Sequence, residues 1–210
     1  MPKISTQDFL EIEQIKEGVL ILKNKSLRAI LGVSSLNFAL KAEDEQNAII
    51  YQFQNFLNSL DFSCQIVIQS RRLNMTGYLD KLKDIEIREK NELLKLQIAD
   101  YRNFVQGILE QGYIMQKSFY VVIPFSLSET QGISVTKRFA KVSSLTEEEF
   151  ARSKNQLMQR VEFAILGLRA CGLGAAPLNN PELIELFWGL YHPTEAERGY
   201  YPEVPTELTD

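Results

Sequence analysis

His192 is the only histidine in the chain, and any histidine-based catalytic triad would have to use it. It stands between Tyr191 and Pro193 at the end of an apolar run, with no G-x-S-x-G nucleophile elbow elsewhere to serve it. A structural role at a helix end is the expectation. Gly167-x-x-x-x-Gly172 has the glycine spacing that opens a phosphate-binding loop. Such a loop continues with Lys and Ser or Thr, which contact phosphate and Mg²⁺. Here Leu173 and Gly174 follow, and the glycines come after a helical stretch rather than a strand. Gly172-x-Gly174 is likewise too short for a dinucleotide fingerprint. These glycines are read as a helix stop.

Carboxylates are plentiful, but Glu43–Glu45 and Glu147–Glu149 open helical stretches, where the positive end of the helix dipole favours them without any acid–base role. The two cysteines, Cys64 and Cys171, are too few for a disulfide framework or a zinc site. Both are expected as small buried hydrophobes in a reducing compartment. The expectation is therefore no catalytic residue, no metal, no cofactor and no enzyme.

Apolar residues make up 45% of the 210 residues, charged residues 24%, and the formal net charge is −4. That balance suits a globular protein and offers no bulk attraction to nucleic acid or anionic lipid. Basic residues cluster at Arg71 and Arg72 and at Lys137, Arg138 and Lys141, each read as a solvated face. The longest apolar run, Phe119–Phe125, is far short of the roughly 20 residues of a membrane-spanning helix. Met1–Asp8 has no apolar signal-peptide core. No membrane insertion and a cytoplasmic location are expected.

The elements follow from periodicity. Gly18–Leu22 and Leu27–Val33 flank a polar turn and form a β-hairpin, with a short strand before it at Glu11–Ile15. Glu43–Leu60 is helical, with Ile49, Phe53, Phe56 and Leu60 recurring along it. Phe62, Cys64, Ile66 and Ile68 alternate with polar residues and predict a strand over 62–69, leaving Arg71 and Arg72 just past its end in solvent. Tyr78–Leu109 reads as one long helix, about 45 Å at 1.5 Å per residue. Within it Leu94, Ile98, Tyr101, Val105 and Ile108 keep a 3.5-residue seam. That seam asks for a helical partner, either the helix 147–170 or a copy in a second subunit. Phe119–Ile123 is a central strand buried on both faces. Residues 125–144 are a long loop with a possible strand at Ile133–Val135. Thr146-x-x-Glu149 is a capping box opening a helix to Ala170, with Phe150, Leu157, Val161, Ala164 and Leu168 on one stripe. A short strand at Ala175–Leu178 precedes a helix over 182–190, capped by Asn180 with Pro181 in its first position.

The fold class is thus mixed α/β. One sheet of four to six strands carries an N-terminal hairpin and is covered by helices, one of them long. Residues 1–193 form a single domain, and 194–210 an acidic, proline-containing tail. Phe187, Trp188, Tyr191, Tyr200 and Tyr201 crowd the C-terminal end, where either Phe187 faces the core and the others pack beneath the tail, or the aromatic side chains anchor an interface. Candidate interaction residues are Leu94, Ile98, Tyr101, Val105, Ile108, Trp188 and Tyr191.

The ordered set IKEGVLILKNKSLRAILGVSSLNFAL (15–40), EQNAIIYQFQNFLNSLDFSCQIVIQSRRLN (45–74), FYVVIPF (119–125) and PELIELFWGLYHP (181–193) resembles the N-terminal domain of the TraC-like conjugation ATPases. In that family a RecA-like ATPase module follows, and this chain ends before one. The resemblance therefore implies the non-catalytic half: a scaffold or adaptor of a conjugative or type IV secretion system. Its implied partners are the secretion ATPase, inner-membrane channel subunits and other copies of itself, with no direct contact to nucleic acid. Met1 and the acidic tail are read as marks of a stand-alone protein. The alternative from another class is a small-molecule-binding or regulatory domain.

Overall fold

The computed structural model describes residues 10–111, 114–126 and 146–198. Six strands form one antiparallel sheet. They are β1 Ile12–Lys16, β2 Val19–Leu22, β3 Leu27–Val33, β4 Gln65–Arg72, β5 Met115–Phe125 and β6 Ala175–Pro177. The order is β1-β2-β3-β5-β4, and β6 pairs with β3. β2 and β6 share one edge of β3: Leu20 and Ile21 face Arg28 and Leu27, while Ala175–Pro177 face Val33–Leu31. The other edge of β3 is paired along its whole length with β5, from Leu27↔Phe125 to Val33↔Phe119. The helices are α1 Glu43–Ser59, α2 Thr76–Arg88, α3 Glu92–Gln111, α4 Glu147–Ala170, α5 Asn180–Tyr191 and α6 Pro193–Arg198.

The backbone gathers into two compact units. The first draws on residues 1–68 and 118–183, the second on 69–117 and 184–204. β4, β5 and α5 each begin in one unit and continue into the other.

The first unit holds the main core. β1 and β2 join through Glu17 and Gly18, both with positive φ (51° and 74°), the backbone that a two-residue hairpin turn demands. The Gly18 N–H donates to Asn180 Oδ1 at 2.7 Å. In the next turn Asn24 Oδ1 accepts from the N–H and hydroxyl of Ser26, and Lys25 takes positive φ. Strand alternation then puts Leu27, Ala29, Leu31, Val121, Ile123 and Phe125 on one buried face. Against it lies the stripe Phe150, Leu157, Val161, Ala164 and Leu168 of α4, as its spacing predicts.

α4 begins at the expected capping box. Thr146 Oγ1 accepts from the Glu149 N–H, and Glu149 Oε2 accepts from the Thr146 N–H at 3.1 Å. It ends in a Schellman turn, with Gly172 at φ 80° and the Leu173 N–H donating to Leu168 O. Gly172 is therefore the helix stop, but Gly167 is not. Gly167 lies inside α4 where α1 crosses it, and a Cβ there would stand 2.2 Å from the Phe56 ring. Gly174 is bound to Ser34 through Ser34 N–H to Gly174 O and Gly174 N–H to Ser34 Oγ, each 2.8 Å.

Several expectations shift. The strand expected over 62–69 runs instead over Gln65–Arg72, with Val67, Gln69 and Arg71 on its more covered side and Ile66 and Ile68 exposed. Burial changes phase at Gln65 and Ile66, and Phe62 and Cys64, which precede the strand, are partly buried against the core. β5 is longer than its apolar run, and alternate residues are buried and half-buried rather than all enclosed. Asn179, not Asn180, caps α5: its Oδ1 accepts from the Glu182 N–H, and Glu182 Oε2 accepts from the Asn179 N–H. The helix Pro193–Arg198 takes in the first residues of the tail expected over 194–210. Of the loop expected over 125–144, Phe125 instead ends β5, and residues 127–144 with the strand expected at Ile133–Val135, the cluster Lys137, Arg138 and Lys141, and Tyr200 and Tyr201 lie outside the described residues.

Candidate functional site

All seven candidate interaction residues fall in the second unit. The long helix of the sequence reading is two helices. α2 and α3 pack on each other as a hairpin, broken at Glu89–Asn91. Asn91 Oδ1 accepts from the Leu93 N–H at 3.0 Å and caps α3, with Glu92 in its first turn. Glu89 Oε1 accepts from the N–H groups of Lys90 and Asn91 and holds the turn. The signal was Asn91 followed by Glu92, a helix-start pair inside an otherwise unbroken period. The helical partner of this segment is thus its own first half.

The hairpin splits the predicted seam. Ile98 and Val105 are half-buried, whereas Leu94, Tyr101 and Ile108 are exposed. Tyr78 of α2 and Tyr101 of α3 meet hydroxyl to hydroxyl at 3.2 Å, and that contact raises the Tyr78 phenol above its ordinary range. Arg102 pairs with Glu86 at 3.2 Å. No residue of α2, and none of 92–109 in α3, is fully buried. Ile85, Leu93 and Phe104, which the sequence reading passed over, are also exposed.

Trp188 and Tyr191 lie at the end of α5. Trp188 is half-buried and stacks on His192, ring centres 5.3 Å apart. The His192 backbone N–H donates to Trp188 O at 2.8 Å, and its ring Nδ1 lies 3.2 Å from the same oxygen, so the imidazole sits against the end of α5. Tyr191 is exposed. In the same unit Arg71 ends up half-buried rather than in solvent. It lies against α5 at Gly189, where a Cβ would stand 2.3 Å from Nη1. Its Nε is buried and meets no acceptor among the described residues. A cation beside the last turn of a helix is favoured by the helix dipole, which offsets part of the cost of covering it.

Within the first unit an open groove of about 510 Å³ runs between α1 and α4. Asp61, Phe62, Phe125, Gln156, Gln159 and Arg160 are among the residues lining it. The Arg160 guanidinium lies over the rings of Phe62 and Phe125, 5.1 and 5.2 Å from their centres, and Nη1 donates to Pro124 O. Cys171 is buried and donates to Gly167 O, Cys64 is half-buried, and burial raises both thiols above their ordinary range. Among the described residues no group of three or more His, Cys, Asp or Glu is placed to hold a metal ion. No helix among them is long and apolar enough to cross a membrane.

A family model described as the archaeal TraC-like domain matches residues 13–193, nearly all of the described chain. The chain belongs to the TraC-like family. No curated protein matches it. Membership connects this TraC-like protein to conjugation or a secretion-related system. The matched span includes the core of the first unit and the whole α2–α3 hairpin.

Proposed function

We propose that this TraC-like protein is a non-catalytic scaffold or adaptor of a conjugative or type IV secretion machine, working through protein contacts at the cytoplasmic face of the membrane. The observation that carries the reading is the α2–α3 hairpin. Nine large apolar side chains on these two helices are exposed, among them Ile85, Leu93, Leu94, Tyr101 and Phe104. Seven of the nine fall on the face that carries Tyr78 and Tyr101, and exposed apolar surface of this extent on a folded protein marks a place where another protein binds. The secretion ATPase and the membrane-embedded channel subunits are the partners proposed. Tagged protein recovered from its host in mild detergent should bring down at least one of them. Recovery with none, while the tag remains accessible, would sink the reading.

A second reading, small-molecule binding, rests on the groove beside Arg160. Its polar lining of Asp61, Gln156, Gln159 and Arg160 could orient a ligand. A thermal-shift screen should then find a compound whose stabilisation disappears in Gln159→Leu. A screen with no such compound would leave the groove as surface relief.

A further inference from the structure

We infer that the exposed side of the α2–α3 hairpin is a self-association surface on which a second copy of this chain docks its own hairpin, forming a four-helix arrangement about a twofold axis. The inference deepens the scaffold reading by naming one occupant of the same surface.

At 100° per residue, Leu93, Phe104, Gln97, Ile108, Tyr101 and Leu94 of α3 fall within one arc of about 100°. None of them is charged. Tyr78 and Ile85 of α2 are seven residues apart and form a second row. The Tyr78–Tyr101 hydroxyl contact fixes the two rows on the same side of the hairpin. The apolar members of this surface are between 40% and 75% exposed. Side chains of these sizes at these exposures present roughly 700 Å² of mostly apolar surface, close to the ~800 Å² each partner contributes to a stable interface. That is more than the few hundred Å² a monomer ordinarily leaves open.

Spacing and charge together select the occupant. Rows at a seven-residue repeat accept the knobs of another helix bearing the same repeat, rather than a strand or a loop. Residues 76–111 carry seven acidic and six basic side chains, so the hairpin is nearly neutral within a chain of net charge −4. A neutral face rimmed by both signs does not repel its own copy, and it offers nothing to select a strongly charged partner. Tyr101 is the midpoint of the row Leu94–Tyr101–Ile108, so a twofold axis near it would set Leu94 of one copy against Ile108 of the other.

The test is sedimentation equilibrium on the purified full chain, from about 1 to about 100 µM, where a micromolar dimer changes its populations. The wild type should form a reversible dimer. Tyr101→Glu with Ile108→Glu should weaken it by at least ~100-fold, with unchanged far-ultraviolet circular dichroism and a melting temperature that no longer rises with protein concentration. Phe104→Arg is a second variant, on a residue so exposed that folding does not depend on it. Ile66→Glu, exposed on β4, should leave the dimer intact. A wild type that stays monomeric at 100 µM overturns the inference, as does a dimer that the charged hairpin variants leave unaltered. Either result leaves the secretion-subunit reading to its own test. Failure to recover those subunits, with a hairpin-dependent dimer present, would sink that reading alone.

Discussion

Gly167 and Asn180 each make a close contact between distant segments of the first unit. A Cβ at 167 would meet the Phe56 ring at 2.2 Å, and both sides of that contact are packed. Gly167→Val should therefore destabilise by about 1–3 kcal/mol through overpacking, measured by urea denaturation. Phe56→Leu in the same chain should recover part of the loss, and additive losses would show that the two do not touch. Asn180 is buried with its Oδ1 facing the Gly18 N–H. Asn180→Ala leaves that donor unpaired and should cost about 1–3 kcal/mol, whereas Asn179→Ala removes an exposed cap and should cost about 1 kcal/mol. Equal losses would contradict the assignment of the cap to Asn179. Two carboxyls are held below their ordinary value. Hydrogen bonds from Thr146 lower Glu149, and the ammonium of Lys154 lowers Glu17. The stability they contribute is complete above the usual carboxylate range and is lost as pH falls through their lowered values. A Glu149→Gln variant should accordingly lose less stability than the wild type on acidification below about pH 4. Parallel acid limbs in thermal melts would disprove the linkage.

At the scale of elements, α4 and the α2–α3 hairpin are opposites. α4 buries six residues in the core, while α2 buries none. Amide hydrogens in α2 and α3 should exchange much faster than those of α4 at low protein concentration, because local opening there exposes little new apolar surface. Hydrogen-exchange mass spectrometry checks this, and equal protection in a monomeric sample would mean that the hairpin is held by contacts beyond its own. Raising the concentration should slow exchange around Tyr101 if copies dock there. The phase of β4 makes a second contrast. Ile66→Ser, on the exposed side, should stay within about 0.5 kcal/mol of the wild type, and Val67→Ser on the covered side of the same strand should lose more. Reversed magnitudes would restore the strand phase that 62–69 implies.

For the whole molecule, the legible part of the sequence was the part where local chemistry and burial agree. The hairpin β2–β3 shows as alternating apolar residues around a polar turn, α4 as a capping box with an apolar stripe, and the family as an ordered set of four segments. Period alone determined that residues 78–109 are helical apart from Glu89–Asn91. It did not determine where they fold back, since Asn91 caps a helix only once the chain has turned there. It also did not determine which half of the seam is covered: Ile98 and Val105 share a period with Leu94, Tyr101 and Ile108, and only the position of α2 separates them. Arg71 was invisible for the same reason, because the space that receives it is made by a missing side chain at Gly189, far along the chain. Gly167 likewise reads as a stop signal until Phe56 is brought against it. Sequence patterns record what each segment prefers locally, through turn chemistry and residue period. Close approaches between distant segments are decided by packing, in which the fit of both sides counts and neither side alone carries the signal.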